Sequence, residues 1–565
     1  MLSKTQDEVR FRLRALASPT GLFVFLSPYV IGGYYEWVSC LYSLCLLGYL
    51  VFDLIRRGYL TIPCSNTLFA AFVVAVSYGL SAFWAVDKGM AFLGFIKFLP
   101  LPLFALVIAQ TDPAQRKELT GIIPLSGFVM VIVSVLLGLI PVIRRYFFIS
   151  DRLAGFFQYP NTFALFLLVG ITVTVFETKL KWRHAVLIIV LLFGIALSGS
   201  RTVFILLILT LASSAIFKKD KRDRMIICAM LLALLSGSFL YVCITHNYSA
   251  VGRYLTTSLT SSTLLGRLLY FKDALPVIAS HPFGLGYLGY YFLQGSFQTG
   301  VYSVLNVHNE FLQILLDIGW IPAGVCIYAL IKSFINNKKN TLNIVLLSII
   351  CIHCLFDFDL QFVSVGFVLV MTMSYGDSKT AKAPKITVLP AAVVLCILCC
   401  YFGSASAVYC LGNYKAAVKI YSAYTMAWIK LLPCAESISE MDSTADKIIR
   451  LNQTSALAYS AKARAAYAGG DFGSVIQYKK RALEYSKYSL DEYLDYFNML
   501  YSGVQLYTAN NDTYSAAVCR ECLLEIPELL SKVEENTSSI AFRITDTPNF
   551  NLPADYIAKL KELNG

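Results

Sequence analysis

Three arginines and one histidine stand at the ends of, or between, apolar segments of this chain. Arg152 opens RLAGFFQYPN and Arg201 follows LSGS. Arg267 follows Gly266 in a long stretch that also holds Lys272, His281 and His308. Arginine stays charged at any relevant pH, and its planar fork grips phosphate or carboxylate oxygens in pairs. Histidine, with a reference pKa of about 6.5, takes up or releases a proton near neutrality. Together they point to an anionic ligand with proton transfer beside it. Asn309, Glu310 and Gln313 lie at or one turn from His308. They orient its ring, bind ligand hydroxyls, or cap the helix that follows. Asp357 and Asp359, in FDFDLQF, lie near the ends of two short apolar runs, where carboxylates are costly and often functional. Plain alternatives stand beside these readings: a snorkelling span-end cation for Arg201, and an exposed loop side chain for His308. No Gly-rich phosphate loop and no metal-ligand cluster is visible, so no cofactor or metal is expected.

The elements that position these residues are apolar helices. The chain has 565 residues, 57% hydrophobic and 15% charged, where a soluble protein carries about 25% charged residues. Mean hydropathy is +0.63. Apolar runs near 21–34, 37–55, 66–84, 89–109, 119–141, 161–178, 184–199, 202–217, 225–245, 312–333, 342–356, 360–375 and 386–408 predict about 12–13 membrane spans. The charged start, MLSKTQDEVRFRLRALASPT, carries no cleavage site after a short apolar core, so the first run is expected to stay as an anchor. The mid-spans read as nearly uncharged.

Charge placement sets the expected orientation. Arg10, Arg12 and Arg14 start the chain, and KKDKRDR fills 218–224. Every second boundary between runs is basic, which places the N-terminus in the cytoplasm. Residues 246–311 and everything after about 410 then lie outside. Arg144, Arg145, Arg152, Arg201, Arg253 and Arg267 break the rule on the outer side. An anionic ligand there is the simplest reason, and lipid headgroups are the bland one. The net charge of +12 therefore reads as topology and not as nucleic-acid binding. Most of the 15 cysteines fall in apolar segments and read as packing residues. The Cys519/Cys522 pair has no second ligand pair to make a zinc site.

After Cys410 the composition becomes charged, tyrosine-rich and helical. Ala456, Ala458, Ala461, Ala463, Ala465 and Ala466 precede the turn Gly469-Gly470-Asp471, and Ala482 follows in a second helix. This resembles a tetratricopeptide hairpin, with a period of about 34 residues. Such domains bind partners more often than they catalyse.

HPFGLG, then VHNEFLQ and DIGW, resemble the signature loop of the O-antigen ligase and polymerase superfamily of polytopic glycosyltransferases. The likeness covers roughly residues 20 to 375. It implies an all-α, GT-C-like membrane domain over 1–408, with its large loop at 246–311; beside it the residue pattern and charge placement predict a soluble extracytoplasmic tetratricopeptide-like domain over 411–565. It implies an enzyme of the bacterial cytoplasmic membrane that needs no metal. The donor would be a polyprenyl-diphosphate-linked glycan, and the acceptor a cell-envelope glycan, lipid or protein. Arg201 and Arg267 match arginines linked with diphosphate binding, and His308 matches the proposed catalytic residue. Arg152, Asn309, Glu310 and Asp357 would contact substrate. Polymerase, ligase and protein O-oligosaccharyltransferase readings all share the His308-Asn309 loop. A lipid-linked glycan transporter or flippase is the rival class. Tyr287, Tyr290, Tyr291, Phe292 and Phe297 read equally as sugar-stacking residues or as the loop's own core.

Overall fold

The computed structural model describes residues 15–177, 179–245, 262–373 and 379–564. Arg10, Arg12, Arg14, His246 and Arg253 lie outside them. The described chain is almost wholly helical, with two small two-stranded sheets among the described residues. Among the described residues, four helices are long and apolar enough to cross a membrane: Glu36–Arg57, Lys88–Gln110, Glu118–Gly138 and Lys385–Cys410. Seven shorter apolar helices of 10–17 residues pack among them. One buried cluster runs through most of this bundle, and a smaller one holds helix Trp320–Asn336 through Ala329, Ala70 and Leu347. An all-α membrane protein is the architecture that satisfies every backbone group without water.

The first apolar run departs from expectation. Residues 21–34 form no continuous span. The helix Pro19–Leu26 gives way to the short turns Ser27–Tyr29 and Ile31–Gly33. Pro28 lies in the first turn, and Ile31, Gly32 and Gly33 all take positive φ, which no helix tolerates.

The mid-spans are also less bare than they read. Lys97 is 3% exposed within Lys88–Gln110. Its ammonium lies 3.3 Å from the Tyr287 hydroxyl and over the Tyr34 ring. The Tyr287 hydroxyl in turn donates to Glu36 at 2.6 Å. The lysine is thereby linked to a carboxylate through a tyrosine.

The described part of the long segment before Glu310 forms two helices, Ser262–Ser280 and Gly289–Phe297. Asp273 ties them together, accepting from the Thr299 amide and hydroxyl and from Tyr302. Tyr287, Tyr290 and Phe292 are buried, and Tyr291 and Phe297 pack at the margin of the same clusters. These aromatics are core, not an exposed stacking platform.

The C-terminal part begins after Lys385–Cys410 with a turn through Gly412, whose φ is +81°. Helices Ile438–Leu451, Ala456–Ala468, Phe472–Tyr485, Leu490–Ala509 and Thr513–Leu524 follow, each packed on the next in the chain. Side-chain caps from Ser437, Ser455, Asp471 and Asp512 start four of them. Cys519 and Cys522 are buried in the apolar core of this stack. It seats on the loop segment, with the Thr454 hydroxyl donating to the Phe292 carbonyl and Asn452 to the Asp87 carboxylate.

Candidate active site

Asp357 is the hub of the polar cluster. It lies in the link between helices Thr341–Cys354 and Val363–Thr372 and is 1% exposed. Its Oδ1 accepts from Tyr159 at 2.7 Å and from its own neighbour's amide, Phe358, at 3.1 Å. His308 Nδ1 lies 3.3 Å from the same oxygen. Oδ2 accepts from Asn161 at 2.7 Å and Arg267 at 3.3 Å. Burial alone would push this carboxyl up. The His308 hydrogen bond and the Arg267 charge outweigh it and hold Asp357 well below the usual carboxylate range.

An ionised Asp357 needs a donor at His308 Nδ1. The ring proton then sits on Nδ1, and Nε2 keeps its lone pair in the neutral form. This is the arrangement that makes a histidine a general base. The ring packs on Phe358 at 4.9 Å and approaches Tyr270 at 6.3 Å, between centroids. Phe358 belongs to an aromatic floor with Tyr159, Phe362 and Tyr34. His308 itself takes φ +56°, a left-handed conformation that a non-glycine residue adopts at some cost, often at functional positions.

The neighbours of His308 hold this geometry in place. Asn309 starts helix Glu310–Ile318, its Oδ1 accepting from the Phe311 and Leu312 amides. Its Nδ2 donates to the Leu355 carbonyl, two residues before Asp357. Glu310 is 2% exposed, and its Oε1 accepts from the Leu360 and Gln361 amides at 2.7 and 3.1 Å. Burial, aided by the Asp359 charge, pushes the Glu310 carboxyl up to about 8. Both residues were expected to contact substrate. Their polar atoms are instead turned onto the chain on either side of Asp357. Gln313 accepts from the Val307 amide and donates to Asp317.

Arg152 reaches the hub through one intermediary. A hairpin, Phe148–Ile149 against Arg152–Leu153, turns through Ser150 and Asp151, both at positive φ, as a two-residue hairpin loop requires. Arg152 Nε donates to the Ser198 carbonyl and its guanidinium to Asn161, each at 2.7 Å. Asn161 follows Pro160, which opens helix Pro160–Glu177, and passes the tie on to Asp357. Arg152 is thus a brace between two helices. Arg201 starts helix Arg201–Phe217 after the left-handed Gly199, whose φ is +61°. It lies three residues beyond the Ser198 carbonyl that Arg152 grips. Among the described residues, no hydrogen bond or ion pair engages the Arg201 guanidinium.

Several residues escaped the sequence reading. Tyr159 and Asn161 stand inside the RLAGFFQYPN motif, but only Arg152 was singled out there. His353 was missed altogether. It is 1% exposed and its Nδ1 lies 2.5 Å from Asp359, which also accepts from Thr162 at 2.7 Å. A histidine deep in an apolar run, six residues before an aspartate, was the available signal. Asp357 and Asp359, though spaced Asp-x-Asp, are turned to different partners. His281 hydrogen-bonds within its own helix end, to Val277. Gly284 at φ +80° passes so close to Asp317 that a Cβ would meet the carbonyl oxygen at 2.5 Å.

Comparison with known proteins bears on this site directly. No curated protein and no solved structure matches the chain. Residues 185–328 match the family model described as O-antigen ligase. That stretch carries Arg201, Arg267 and His308, while Arg152, Asn161 and Asp357 lie outside it. With the apolar helices, the match supports a multi-pass inner-membrane protein. Through residues 185–328 the chain is similar to the O-antigen ligase family, which supports a ligase- or polymerase-type function in glycan assembly.

Proposed function

We propose that this chain transfers a glycan from a polyprenyl-diphosphate carrier to a cell-envelope acceptor at the outer face of the membrane. The observation that carries the reading is the shared carboxylate: His308 and Arg267 both reach Asp357, at 3.3 Å each. Asp357 orients His308, and Nε2 takes the proton of the acceptor hydroxyl as it attacks the sugar carbon bonded to the diphosphate. That carbon–oxygen bond breaks, and the diphosphate leaves with its electron pair. Arg201 and the free N–H groups of Arg267 neutralise the charge that develops on it. Arg152 is a brace in this scheme, and the lipid tail stays in the bilayer. The chemistry assigned to these residues calls for no metal ion.

The basic boundaries on the opposite face, KKDKRDR at 218–224 among them, support the outer assignment by the charge rule. Ligase, polymerase and protein O-oligosaccharyltransferase activities all fit this chemistry. The family match favours a glycan acceptor. The C-terminal helical stack, tetratricopeptide-like in sequence, would present that acceptor or bind an assembly partner.

One observation speaks for the transport reading. Lys97 is a buried cation inside the apolar helix Lys88–Gln110, and ionisable residues within spans often mark transport paths. Its link through Tyr287 to Glu36 accounts for it without a transported ligand.

The deciding experiment uses purified protein in proteoliposomes with a lipid-diphosphate-linked glycan. The expected result is transfer by the wild type and its loss in His308→Ala and Arg267→Ala at unchanged protein levels. Normal transfer in both variants, or a wild type that only moves the lipid-linked glycan across the bilayer, overturns the proposal.

A further inference from the structure

A buried cation touches the aromatic floor on which His308 packs. Lys97 stands inside helix Lys88–Gln110. A lysine near a span end reaches water along its own stem, but this one is covered. Its ammonium lies between two rings, 4.6 Å from the centroid of Tyr34 and 5.4 Å from that of Tyr287. It also donates to the Tyr287 hydroxyl at 3.3 Å. That hydroxyl therefore sends its own proton to Glu36 Oε1, at 2.6 Å. Glu36 Oε2 in turn accepts from the Ser406 hydroxyl at 3.2 Å. The charge is met by two aromatic faces and, through one hydroxyl, by a carboxylate.

Tyr34 carries this contact toward the site. Its ring lies 4.9 Å from Phe362 and 6.5 Å from Phe358, and Phe358 meets the His308 ring edge-on at 4.9 Å. The Phe358 amide also donates to Asp357 Oδ1, the oxygen that His308 Nδ1 faces. Tyr34 follows the turn Ile31–Gly33, whose residues all take positive φ, so no regular helix precedes it to fix its ring. Tyr287 is held more firmly: a Cβ on Gly94 would meet the Tyr287 Cβ at 2.6 Å. The ammonium thus joins a rigid ring of the loop segment to a floor ring that the backbone alone leaves loosely set. Packing by itself gives no reason for a charge here. A buried ion is costly, and an apolar side chain in its place is often neutral or stabilising. A cation over an aromatic face gains most where water is excluded.

We infer that Lys97 is a positioning residue of the transfer reaction: its ammonium pins Tyr34 and, through Tyr34 and Phe358, sets where the His308 ring lies. The inference rests on the proposed reaction and assigns Lys97 no contact with substrate. It places the effect on the rate of the chemical step. Hold on the donor is left nearly unchanged, because the diphosphate is assigned to Arg201 and Arg267, on other helices. Lys97, Tyr34 and Phe358 all lie outside the stretch 185–328 that matches the family model.

Full-length variants in proteoliposomes test this. Lys97→Met keeps the length of the side chain and removes the charge. Tyr34→Leu removes the ring through which the charge acts. The expected result for Lys97→Met is a kcat lowered about tenfold or more, a donor KM within about twofold of wild type, and a melting temperature no lower than wild type. Tyr34→Leu should lower kcat to a similar degree, and the double variant should be no slower than the slower single one, as a shared route requires. Lys97→Arg, which keeps a cation that stacks on rings, should recover most of the rate. A wild-type kcat in Lys97→Met, or losses that add in the double variant, overturns the inference. If Lys97→Met does not fold, a wild-type kcat in Tyr34→Leu overturns it. A wild type without transfer defeats the proposed reaction, and the imidazole is then read directly. Of the five histidines, His308 gives the ring Cε1 signal that is missing from labelled His308→Ala. That signal should move in Lys97→Met and in Tyr34→Leu. The same position in wild type and both variants overturns the inference.

Discussion

Arg267 and His308 meet on opposite oxygens of one carboxylate: Arg267 at Oδ2 and His308 at Oδ1 of Asp357, each 3.3 Å away. The cation and the base are therefore fixed relative to one another by a third residue. Neither moves without disturbing Asp357. That carboxylate is in turn held by Tyr159 and Asn161 from the start of another helix.

Removing the hub should cost both stability and activity. Asp357→Ala leaves a mostly buried guanidinium and an imidazole without their acceptor. Breaking such a pair costs about 3 kcal/mol or more. The expected outcome is a clear fall in melting temperature in detergent and loss of transfer. Asp357→Asn keeps an oxygen but reverses one donor-acceptor relation, so it should recover stability more than activity. Equal recovery of both would argue that Asp357 only packs.

His308→Ala should cut the transfer rate by roughly a hundredfold to ten-thousandfold, the usual worth of a general base. Affinity for the lipid-linked donor should stay near wild type, because the arginines hold the diphosphate. Single-turnover kinetics beside a donor-binding assay separate the two effects. A donor affinity that collapses with the rate would assign His308 to binding.

Glu310 gives a pH signature of known sign. Its ordinary value is 4.5 and burial raises it to about 8 in the folded chain. Between those values the folded state binds a proton that the unfolded chain has released. Its contribution to stability therefore falls as pH rises from 4.5 to about 8. Glu310→Gln keeps the carbonyl oxygen that accepts from Leu360 and Gln361 and removes the titration. Relative to wild type, the variant should gain stability steadily across that range. Parallel melting curves at all pH values would refute the assignment.

Arg152→Lys tests the brace. Lysine keeps the charge but cannot span the Ser198 carbonyl and Asn161 together, because the two bonds use separate arms of the guanidinium. A loss of about 1–2 kcal/mol is expected from the hydrogen bond it forgoes. Donor affinity should fall less than in Arg201→Ala. The reverse ranking would make Arg152 a direct phosphate ligand.

Much of this protein could be read from the chain alone, because the signals are local. Long apolar runs declare membrane helices, since a lipid core tolerates nothing else over that length. LSGSR announced a helix-to-helix turn with an arginine at its exit, and the His308-Asn309 pair announced a capped helix. The candidate cations and the base were therefore visible as residue types at span ends. What joins them was not. The Asn161–Asp357 contact spans 196 residues of sequence and the Tyr159–Asp357 contact 198. No periodicity or spacing encodes a partner at that range. His353 lay hidden because a histidine inside an apolar run looks like any other interrupted span until Asp359 is folded against it. The first apolar run misled for the opposite reason: hydropathy counts residues and is blind to the positive φ of Ile31, Gly32 and Gly33. The return of residues 538–546 onto helix Ser262–Ser280 joins Thr545 to Ser262 across 283 residues of sequence, again with no local signal. Residue chemistry set which groups could act here, whereas packing of distant segments decided which of them share a carboxylate and which serve as braces.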